Sequence, residues 1–442
     1  MPNRSKLETV SGVVENGMCV SCGACVVAAG FKGIAWGYDK KLALHVPNVD
    51  RPGLEIDKGD AFAVCPGKGV EIMRLAETIR SPNAAYDVQL GYVLDACAAR
   101  TTDARLLEKA SSGGMVTGVA HFLLSTGRVS GVICTRFAYG PDGPKPQAII
   151  VRDLEGLIEC QGSKYCPVSI HEALDGMRRS NEVVAFVGTP CQIEALRVMM
   201  ERLPWLRQKI GFVIGCFCGG MKDYREMHAL IRRQGIAPSE VVRFSYRGGG
   251  QPGRMLIEDS HGRVKTRPYP DYCTDTGFKK LERCRLCVDG TAELADLACG
   301  DAWLPKFTES GKTWSIAMAR NERASDLLRE MKGKGLIETQ TISPEEIKYS
   351  QSSNLSSKKT RQKARRRLYK LLGRRLPVYD GGIPESQTSL WLEFKVHLRH
   401  SALRWLETLG LYVPFIKCAR WIRGTNEYRR SAPKRNQGHE QR

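Results

Sequence analysis

Three evenly spaced cysteines near the N-terminus, Cys19, Cys22 and Cys25, indicate a site that binds metal through thiolates. A fourth thiol follows in the pair Cys65-Pro66. Three thiolates at this spacing wrap one face of an iron–sulfur cluster, and a distant Cys-Pro supplies the last ligand. We therefore expect these four cysteines, the first thiol set, to bind one 4Fe-4S cluster. A zinc site usually has two separated Cys-x-x-Cys pairs, which fits this spacing poorly.

A second group of four cysteines is scattered over the later sequence. Cys284 and Cys287 form a Cys-x-x-Cys turn among several Lys and Arg residues, and Cys191 and Cys218 precede them. We expect these four, the second thiol set, to bind another 4Fe-4S cluster whose negative charge the basic residues partly offset. Zinc remains a serious alternative here, because a pair plus two scattered cysteines is also a common zinc arrangement.

Several other cysteines compete with the second thiol set or stand apart from it. Cys216 precedes Cys218 by two positions, and Cys273 or Cys299 is able to replace one of the scattered ligands. The remaining unpaired thiols are expected to be small buried hydrophobic residues, as is usual inside cells. These residues are Cys97, Cys134, Cys160 and Cys418.

The elements that position the second thiol set are predicted to form an α/β sheet. From about Tyr86 to Lys348, short β-rich runs alternate with helical segments. The predicted elements include strands Val183–Val187 and Gly211–Gly215 and helices Met115–Thr126, Gln192–Glu201 and Tyr224–Arg233. Because ligands bind at the carboxyl ends of parallel strands, we expect Cys191 and Cys218 to converge there.

A run of small residues, Ser111-Ser112-Gly113-Gly114, precedes the first of these helices. Small residues at a helix start expose unpaired backbone N–H groups, which suit the phosphate of a cofactor. Taken alone, the run is better explained as a helix cap and a tight turn.

Composition and length indicate a multidomain redox protein in a reducing compartment. The chain has 442 residues and 16 cysteines, too few for a small disulfide scaffold. Residues 1–80 are predicted to be a ferredoxin-like module, residues 86–348 a catalytic domain, and residues 358–442 a basic C-terminal extension. The start MPNRSKLETV does not have the pattern of a signal peptide, and no window of eighteen apolar residues occurs, so we expect a cytoplasmic protein.

The formal charge of +20 is concentrated in the C-terminal extension. Residues 358–442 hold 21 Lys/Arg and 6 Asp/Glu, a net of +15, which leaves +5 for the rest of the chain. The run Lys358–Arg375 has ten basic residues and no acid, a pattern typical of a solvated linker. The charge is therefore a property of the tail and does not indicate a nucleic-acid-binding protein.

Apolar residues recur at helical spacing farther along the tail. They are Trp391, Phe394, Leu398, Ala402, Trp405 and Leu409, and a further apolar patch follows at Val413–Ile416 and Trp421-Ile422. A basic helix with tryptophans is able to lie on an anionic membrane surface, as a peripheral contact, or to dock on the protein's own core. The sequence favours neither alternative.

An ordered series of short motifs resembles the beta subunit family of coenzyme F420 hydrogenase/dehydrogenase, over about residues 15–345. The series is Ser111-Ser112-Gly113-Gly114, Gly162-Ser163-Lys164-Tyr165, Gly188-Thr189-Pro190-Cys191-Gln192, Phe217-Cys218, Tyr246-Arg247-Gly248, Cys284-x-x-Cys287, Ala295-Asp296 and Gly300-Asp301-Ala302-Trp303. The same family includes ferredoxin-dependent reductases of chlorophyll-type pigments.

The resemblance implies a flavoprotein that holds FAD next to an iron–sulfur cluster. By matching position, Ser111–Gly114 would face the flavin nucleotide, and Lys164 and Arg247 are candidates for its phosphates or for an anionic flavin. Asp301 has no derived role and is equally well a cap or turn residue. Cys166-Pro167 departs from the family pattern beside the expected pocket. No complete Gly-x-Gly-x-x-Gly motif supports a nicotinamide domain.

Three classes of function follow. The first, which the N-terminal cysteine module favours, is an enzyme in which a ferredoxin-like donor feeds two 4Fe-4S clusters and FAD, which reduces an organic substrate. The second is an electron-relay beta subunit of a hydrogenase or dehydrogenase complex that uses coenzyme F420. The third, a zinc-stabilised nucleic-acid binder, explains the charge and leaves the motif series unexplained.

Overall fold

The computed structural model of this chain describes residues 7–274, 280–386, 388–409 and 411. The helices that begin before residue 200 are α1 Val10–Glu15, α2 Ala24–Ala28, α3 Glu55–Ala63, α4 Ile72–Glu77, α5 Ala104–Lys109, α6 Met115–Ser125, α7 Leu154–Glu159, α8 His171–Arg178 and α9 Pro190–Arg202. The later helices are α10 Pro204–Lys209, α11 Tyr224–Arg233, α12 Glu282–Arg285, α13 Pro305–Thr308, α14 Glu322–Gly333, α15 Pro344–Ser350, α16 Ser352–Leu355, α17 Gln362–Leu371 and α18 Leu390–Thr408.

The strands are β1 Ile34–Asp39, β2 Leu44–Val49, β3 Ala85–Asp87, β4 Gly91–Val93, β5 Asp95–Thr101, β6 Gly131–Ala138, β7 Lys145–Val151, β8 Val184–Gly188, β9 Ile210–Cys216, β10 Val241–Ser245, β11 Arg254–Asp259, β12 Val264–Pro268, β13 Leu297–Asp301, β14 Ser315–Ala319 and β15 Ile337–Thr341. Single turns add Pro66–Lys68, Pro238–Glu240, Asp271–Thr274 and the π-helical turn Ser356–Thr360.

A large mixed sheet forms the centre of the molecule, in the order β15-β5-β14-β13-β9-β8-β6-β7. Its four middle strands, β13, β9, β8 and β6, are parallel, whereas the outer strands pair antiparallel. Parallel strands need both faces covered, which explains the continuous apolar runs in the sequence. The expected α/β class is confirmed in this form.

The elements predicted around the second thiol set are confirmed with small shifts at their ends. The two predicted strands correspond to β8 and β9, and the three predicted helices correspond to α6, α9 and α11. β8 is buried along most of its length, as expected for a strand inside a parallel sheet. Helix α9 begins at Pro190, two residues before the predicted start, because Thr189 and Gln192 form a reciprocal capping box.

The N-terminal module packs directly on the sheet domain. It consists of α1–α4 and the β1-β2 hairpin, and Ile170 N donates to Cys22 O at 2.9 Å. Val20, Ala24 and Val27 belong to the same hydrophobic core as Phe186 and Val213 of the sheet. The predicted boundary near residue 80 therefore separates two sequence patterns that share one core.

The prediction of a solvated linker at Lys358–Arg375 is wrong. Lys358, Lys359, Gln362 and Arg365 are all at most 4 % exposed, in the π-helical turn and α17. Their burial is possible because they have partners: Lys359 lies 2.5 Å from the Glu293 carboxylate, for example. A basic run is thus part of the folded interior.

The predicted apolar helix is confirmed as α18, and its two sides differ. Glu393 is buried and pairs with Arg361 and Arg365 of the preceding segment. Trp391 and Trp405 are more than half exposed on the other side. Contact of this side with an anionic membrane stays a prediction, and the patches Val413–Ile416 and Trp421-Ile422 lie outside the described residues. Among the described helices, none has the length and apolar character to cross a membrane.

We predict that Gly113→Ala lowers the free energy of unfolding by ~1–3 kcal/mol. A Cβ at Gly113 would lie 2.5 Å from Ala99 O and 2.7 Å from Ser315 N, which are backbone atoms of β5 and β14 that cannot move aside easily. The matched control is Gly118→Ala inside α6, where the new Cβ meets only Thr101 at 3.5 Å.

The control is expected to leave stability unchanged or to raise it by ~0.5–1 kcal/mol, because alanine favours helix. Denaturant unfolding of both variants measures the difference. Equal stabilities of the two variants would contradict this account of how the turn at Gly113 is seated on the sheet.

Candidate functional site

The first thiol set surrounds a narrow apolar cavity in the N-terminal module. All four of its cysteines line this cavity together with valine, proline and tryptophan side chains. Burial, followed by the charge of Cys65, raises the pKa of Cys22 to about 12. A buried thiolate therefore needs a compensating cation, and bound iron supplies one. The donor set and its apolar surroundings fit an iron–sulfur cluster.

Backbone N–H groups are also directed at the thiols of the first set. Ser21 N donates to Cys19 Sγ at 3.3 Å. Burial raises the pKa of Cys65, and backbone hydrogen bonds from Gly67 and Lys68 oppose that rise. Such N–H donors stabilise thiolate sulfurs and tune the potential of a cluster that they hold.

The second thiol set is brought together by three separate elements. Cys191 lies in the first turn of α9, Cys218 follows β9, and Cys284 and Cys287 lie on α12 and the turn after it. Burial, and then the charges of Cys284 and Cys218, raise the pKa of Cys191. Burial, and then Cys284 and Cys287, raise the pKa of Cys218 to about 11, against an opposing effect of Lys358. The Cys-x-x-Cys pair thus lies close to both Cys191 and Cys218.

Backbone hydrogen bonds hold the segments around this second set. Cys218 N donates to Gly290 O at 3.0 Å, and Met221 N donates to Cys284 Sγ at 3.4 Å. Cys287 Sγ lies 3.3 Å from Asp289 O. The segment after β9, which carries Cys218, is therefore bonded both to the turn of the Cys-x-x-Cys pair and to the loop between that turn and β13.

The competing cysteines face other neighbours. Cys216 interacts with Cys218 and also with Lys164 and Asp301, on the cavity side of the sheet. Cys299 is buried on β13 beside Cys216 and Cys97. Cys273 interacts with Lys222, Arg247 and Asp271. Cys134 is buried, Cys97 and Cys160 are half-buried, and Cys418 lies outside the described residues.

Within the part of the chain that the structure describes, no three His, Cys, Asp or Glu side chains close around a position for a single metal ion. Zinc lies about 2.3 Å from each thiolate that binds it, so zinc ligands must converge tightly. A 4Fe-4S cluster is much larger than one ion and accommodates thiols that are more widely spread.

A buried ion pair lies between the two thiol sets. Arg283 Nη2 is 3.0 Å from Glu194 Oε2, and both side chains are almost fully buried. Arg283 Nε also donates to Pro66 O at 2.8 Å, next to Cys65 of the first set. Cys284 directly follows Arg283, so this side chain connects the backbone of the two sites.

The main cavity, of about 810 Å³, opens at the carboxyl ends of the parallel strands. Its volume is within the range typical of sites for large organic ligands. Its lining includes Ser111, Ser112 and Gly114, and also Cys218 and Lys280. The cavity therefore extends from the second thiol set to the turn before α6.

The residues expected to contact a flavin divide into two groups. Ser111, Ser112, Gly114, Lys164 and Arg247 line the main cavity. Gly113 lies behind them, where it is pressed against the backbone of β5 and β14. The close approach requires glycine at that position.

Lys164 and Arg247 already have protein partners for their charged groups. Lys164 Nζ donates to the carbonyl oxygens of Cys160, Gln161 and Gly162 at 2.6–3.1 Å. Burial lowers the pKa of Lys164 to about 8. Its bonds hold the 160–162 loop against the cavity, which the sequence motif alone does not reveal.

Arg247 forms the centre of a second buried group. Its Nη1 donates to Asp301 Oδ2 at 2.6 Å and its Nη2 donates to Ser111 O at 2.8 Å. The guanidinium also lies 4.7 Å from the ring centroid of Tyr269 and 5.3 Å from that of Trp303. Asp301 therefore anchors Arg247 at the end of β13, and the pair fixes the turn at Ser111.

Two buried acceptors that line the main cavity were missed by sequence reasoning. Gln161 Oε1 and Asn354 Oδ1 have no hydrogen-bond donor among the described residues. A buried acceptor without a donor is costly unless a ligand supplies one. The cavity thus fits a large organic cofactor that carries N–H or O–H groups, as a flavin does. Neither residue lies in a motif that would single it out.

Comparisons with known proteins agree with the motif series. Residues 96–175 match the family of the coenzyme F420 hydrogenase/dehydrogenase beta subunit N-terminus, and residues 181–345 match the C-terminus of the same family. These matches contain the second thiol set and most of the main cavity. They leave the N-terminal module and the C-terminal extension outside.

Two of the relatives are named for coenzyme F420. The coenzyme F420 hydrogenase subunit beta of Methanococcus voltae is 28% identical over 251 residues, 56% of this chain and 84% of that protein. The coenzyme F420-dependent sulfite reductase of Methanocaldococcus jannaschii is 24% identical over 348 residues, 75% of this chain and 49% of that protein. This chain thus spans about half the length of the second relative.

A solved structure shows the same fold. One chain of the F420-reducing [NiFe] hydrogenase complex from Methanosarcina barkeri superposes with a TM-score of 0.52 at 20% identity, covering 66% of this chain and 98% of that chain. Together with the family matches, the arrangement of sheet, thiols and cavity identifies this chain as a member of the coenzyme F420 hydrogenase/dehydrogenase beta subunit family.

Proposed function

We propose that this chain is an iron–sulfur flavoprotein that relays electrons between coenzyme F420 and a partner protein, in the manner of a beta subunit. The proposal includes two 4Fe-4S clusters, one on each thiol set, and FAD in the main cavity. The observation that carries it is the lining of that cavity, which includes both Cys218 of the second thiol set and Ser111, Ser112 and Gly114 before α6. Relatives named for coenzyme F420 support this choice of carrier.

The residues of the chain have distinct tasks in this proposal. The first thiol set, in the N-terminal module, exchanges electrons with the partner protein. The ion pair of Arg283 and Glu194 holds the two sites together across Pro66. Lys164 and the Arg247–Asp301 pair orient the cavity walls, and the N–H groups at the start of α6 face a phosphate. A bound flavin would supply the exchange between one-electron and two-electron carriers.

A second candidate is a self-contained enzyme in which a ferredoxin-like donor feeds the first thiol set and an organic substrate is reduced in the main cavity. One observation favours it: the N-terminal module precedes the family matches and packs directly on the sheet domain. In this second candidate, the N-terminal module would be the entry site for electrons from a soluble carrier.

We predict that Cys287→Ser removes about half of the bound iron, because the second cluster is lost and the first is retained. The matched control is Cys97→Ser, since Cys97 lies on β5 outside both thiol sets. Iron content and low-temperature EPR of anaerobically purified protein measure the effect. Full iron content in Cys287→Ser would show that the proposed ligand set is wrong.

The identity of the electron carrier is tested by the rate at which each of two reductants reduces the bound clusters. We predict that reduced coenzyme F420 reduces the bound clusters faster than reduced ferredoxin does, because the main cavity rather than the module surface receives a two-electron carrier. Anaerobic stopped-flow absorbance follows both reactions. Reduction by ferredoxin alone would reject the relay role in favour of the ferredoxin-fed enzyme, and reduction by neither would reject both.

A further inference from the structure

The segment after residue 345, which leads into the C-terminal extension, packs on the second thiol set. The family match ends at residue 345, and the chain then continues through α16, the π-helical turn and α17. Asn354 Nδ2 donates to Gly290 O at 3.2 Å, on the loop that also accepts a hydrogen bond from Cys218 N. The segment thus lies on the backbone that surrounds the second set.

Side chains of α17 hold the Cys284–Cys287 turn in place. Gln362 Nε2 donates to Arg285 O at 2.9 Å and to Cys287 O at 3.0 Å. Arg365 Nη1 donates to Arg285 O at 2.7 Å. Both side chains are almost fully buried, so the carbonyl groups of this turn are satisfied by residues outside the family match.

Lys358 is the residue of this segment that faces the thiols themselves. Its side chain is 1 % exposed, and its ammonium lies within electrostatic reach of the sulfurs of Cys287, Cys218 and Cys284. Its neighbour Lys359 turns the other way and pairs with Glu293. Two adjacent lysines therefore have different partners, one a carboxylate and the other a group of sulfurs.

A buried ammonium is costly unless negative charge lies close to it. Four cysteine thiolates around a 4Fe-4S cluster supply that charge, and the cluster becomes more negative when it accepts an electron. A nearby cation and an N–H hydrogen bond to a ligand sulfur both stabilise the reduced form more than the oxidised form. The position of Lys358 is thus one that raises a reduction potential.

We propose that Lys358 is a positioning residue through which the C-terminal extension raises the reduction potential of the second cluster, because its buried positive charge lies beside the ligand sulfurs. The inference rests on the proposed function, because it requires a cluster on the second thiol set. It adds that the potential is set by a segment beyond the part of the chain that the family shares.

The test uses the full-length protein, purified anaerobically, with Lys358→Met, Lys358→Arg and the control Lys363→Gln. Lys363 lies on the same segment but is exposed and pairs with Glu385. An EPR-monitored redox titration follows both clusters, and the signal lost in Cys287→Ser identifies the second one. The first cluster serves as an internal reference.

We expect Lys358→Met to lower the ratio of reduced to oxidised second cluster at least tenfold at a fixed potential, equivalent to about 59 mV for one electron. The first cluster should not change, Lys358→Arg should recover most of the shift, and Lys363→Gln should match the wild type. If Lys358→Met loses the second cluster, retention of iron in Lys358→Arg supports the role of the charge.

An unchanged potential of the second cluster in Lys358→Met, with full iron content, would overturn this inference and leave the proposed function intact. Equal loss of the cluster in the Met and Arg variants would also overturn it, because shape rather than charge would then matter. Wild-type protein without iron would overturn the proposed function itself, and the inference with it.

Discussion

The rest of the structure depends on the burial of many thiols in one interior. A buried thiolate is unfavourable, as the raised pKa values of Cys22 and Cys218 indicate. The fold answers with backbone N–H groups at the first set and with the ammonium of Lys358 at the second. Bound iron completes this compensation in the proposed state. The arrangement explains why so much positive charge lies inside a segment that reads as a surface tail.

The two thiol sets and the main cavity are joined by specific contacts. Arg283 spans from Pro66 of the N-terminal module to Glu194 of α9, and Cys284 follows it in sequence. Cys218 belongs to the second set and also lines the main cavity. The same residues that hold the domains together thus lie along the proposed electron path, so changes in packing there should alter both stability and electron transfer.

Sequence reasoning predicted the elements whose signals are local. The apolar runs predicted β8 and β9. The spacing of the cysteines indicated two thiol sets. It was wrong about Lys358–Arg375, because a run of charge is usually solvated and the partners of Lys358 lie about 70 to 140 residues earlier in the chain. The hydrogen bonds that Lys164 and Arg247 donate to backbone carbonyl groups were likewise not predictable, because a carbonyl partner leaves no signal in the sequence.

The most direct test of this account is the metal and flavin content of the full-length protein purified without oxygen, together with its absorption spectrum. We predict that this preparation is brown and contains about eight iron atoms and about one flavin per chain, with little zinc. A colourless preparation that holds zinc on these cysteines and no flavin would contradict it.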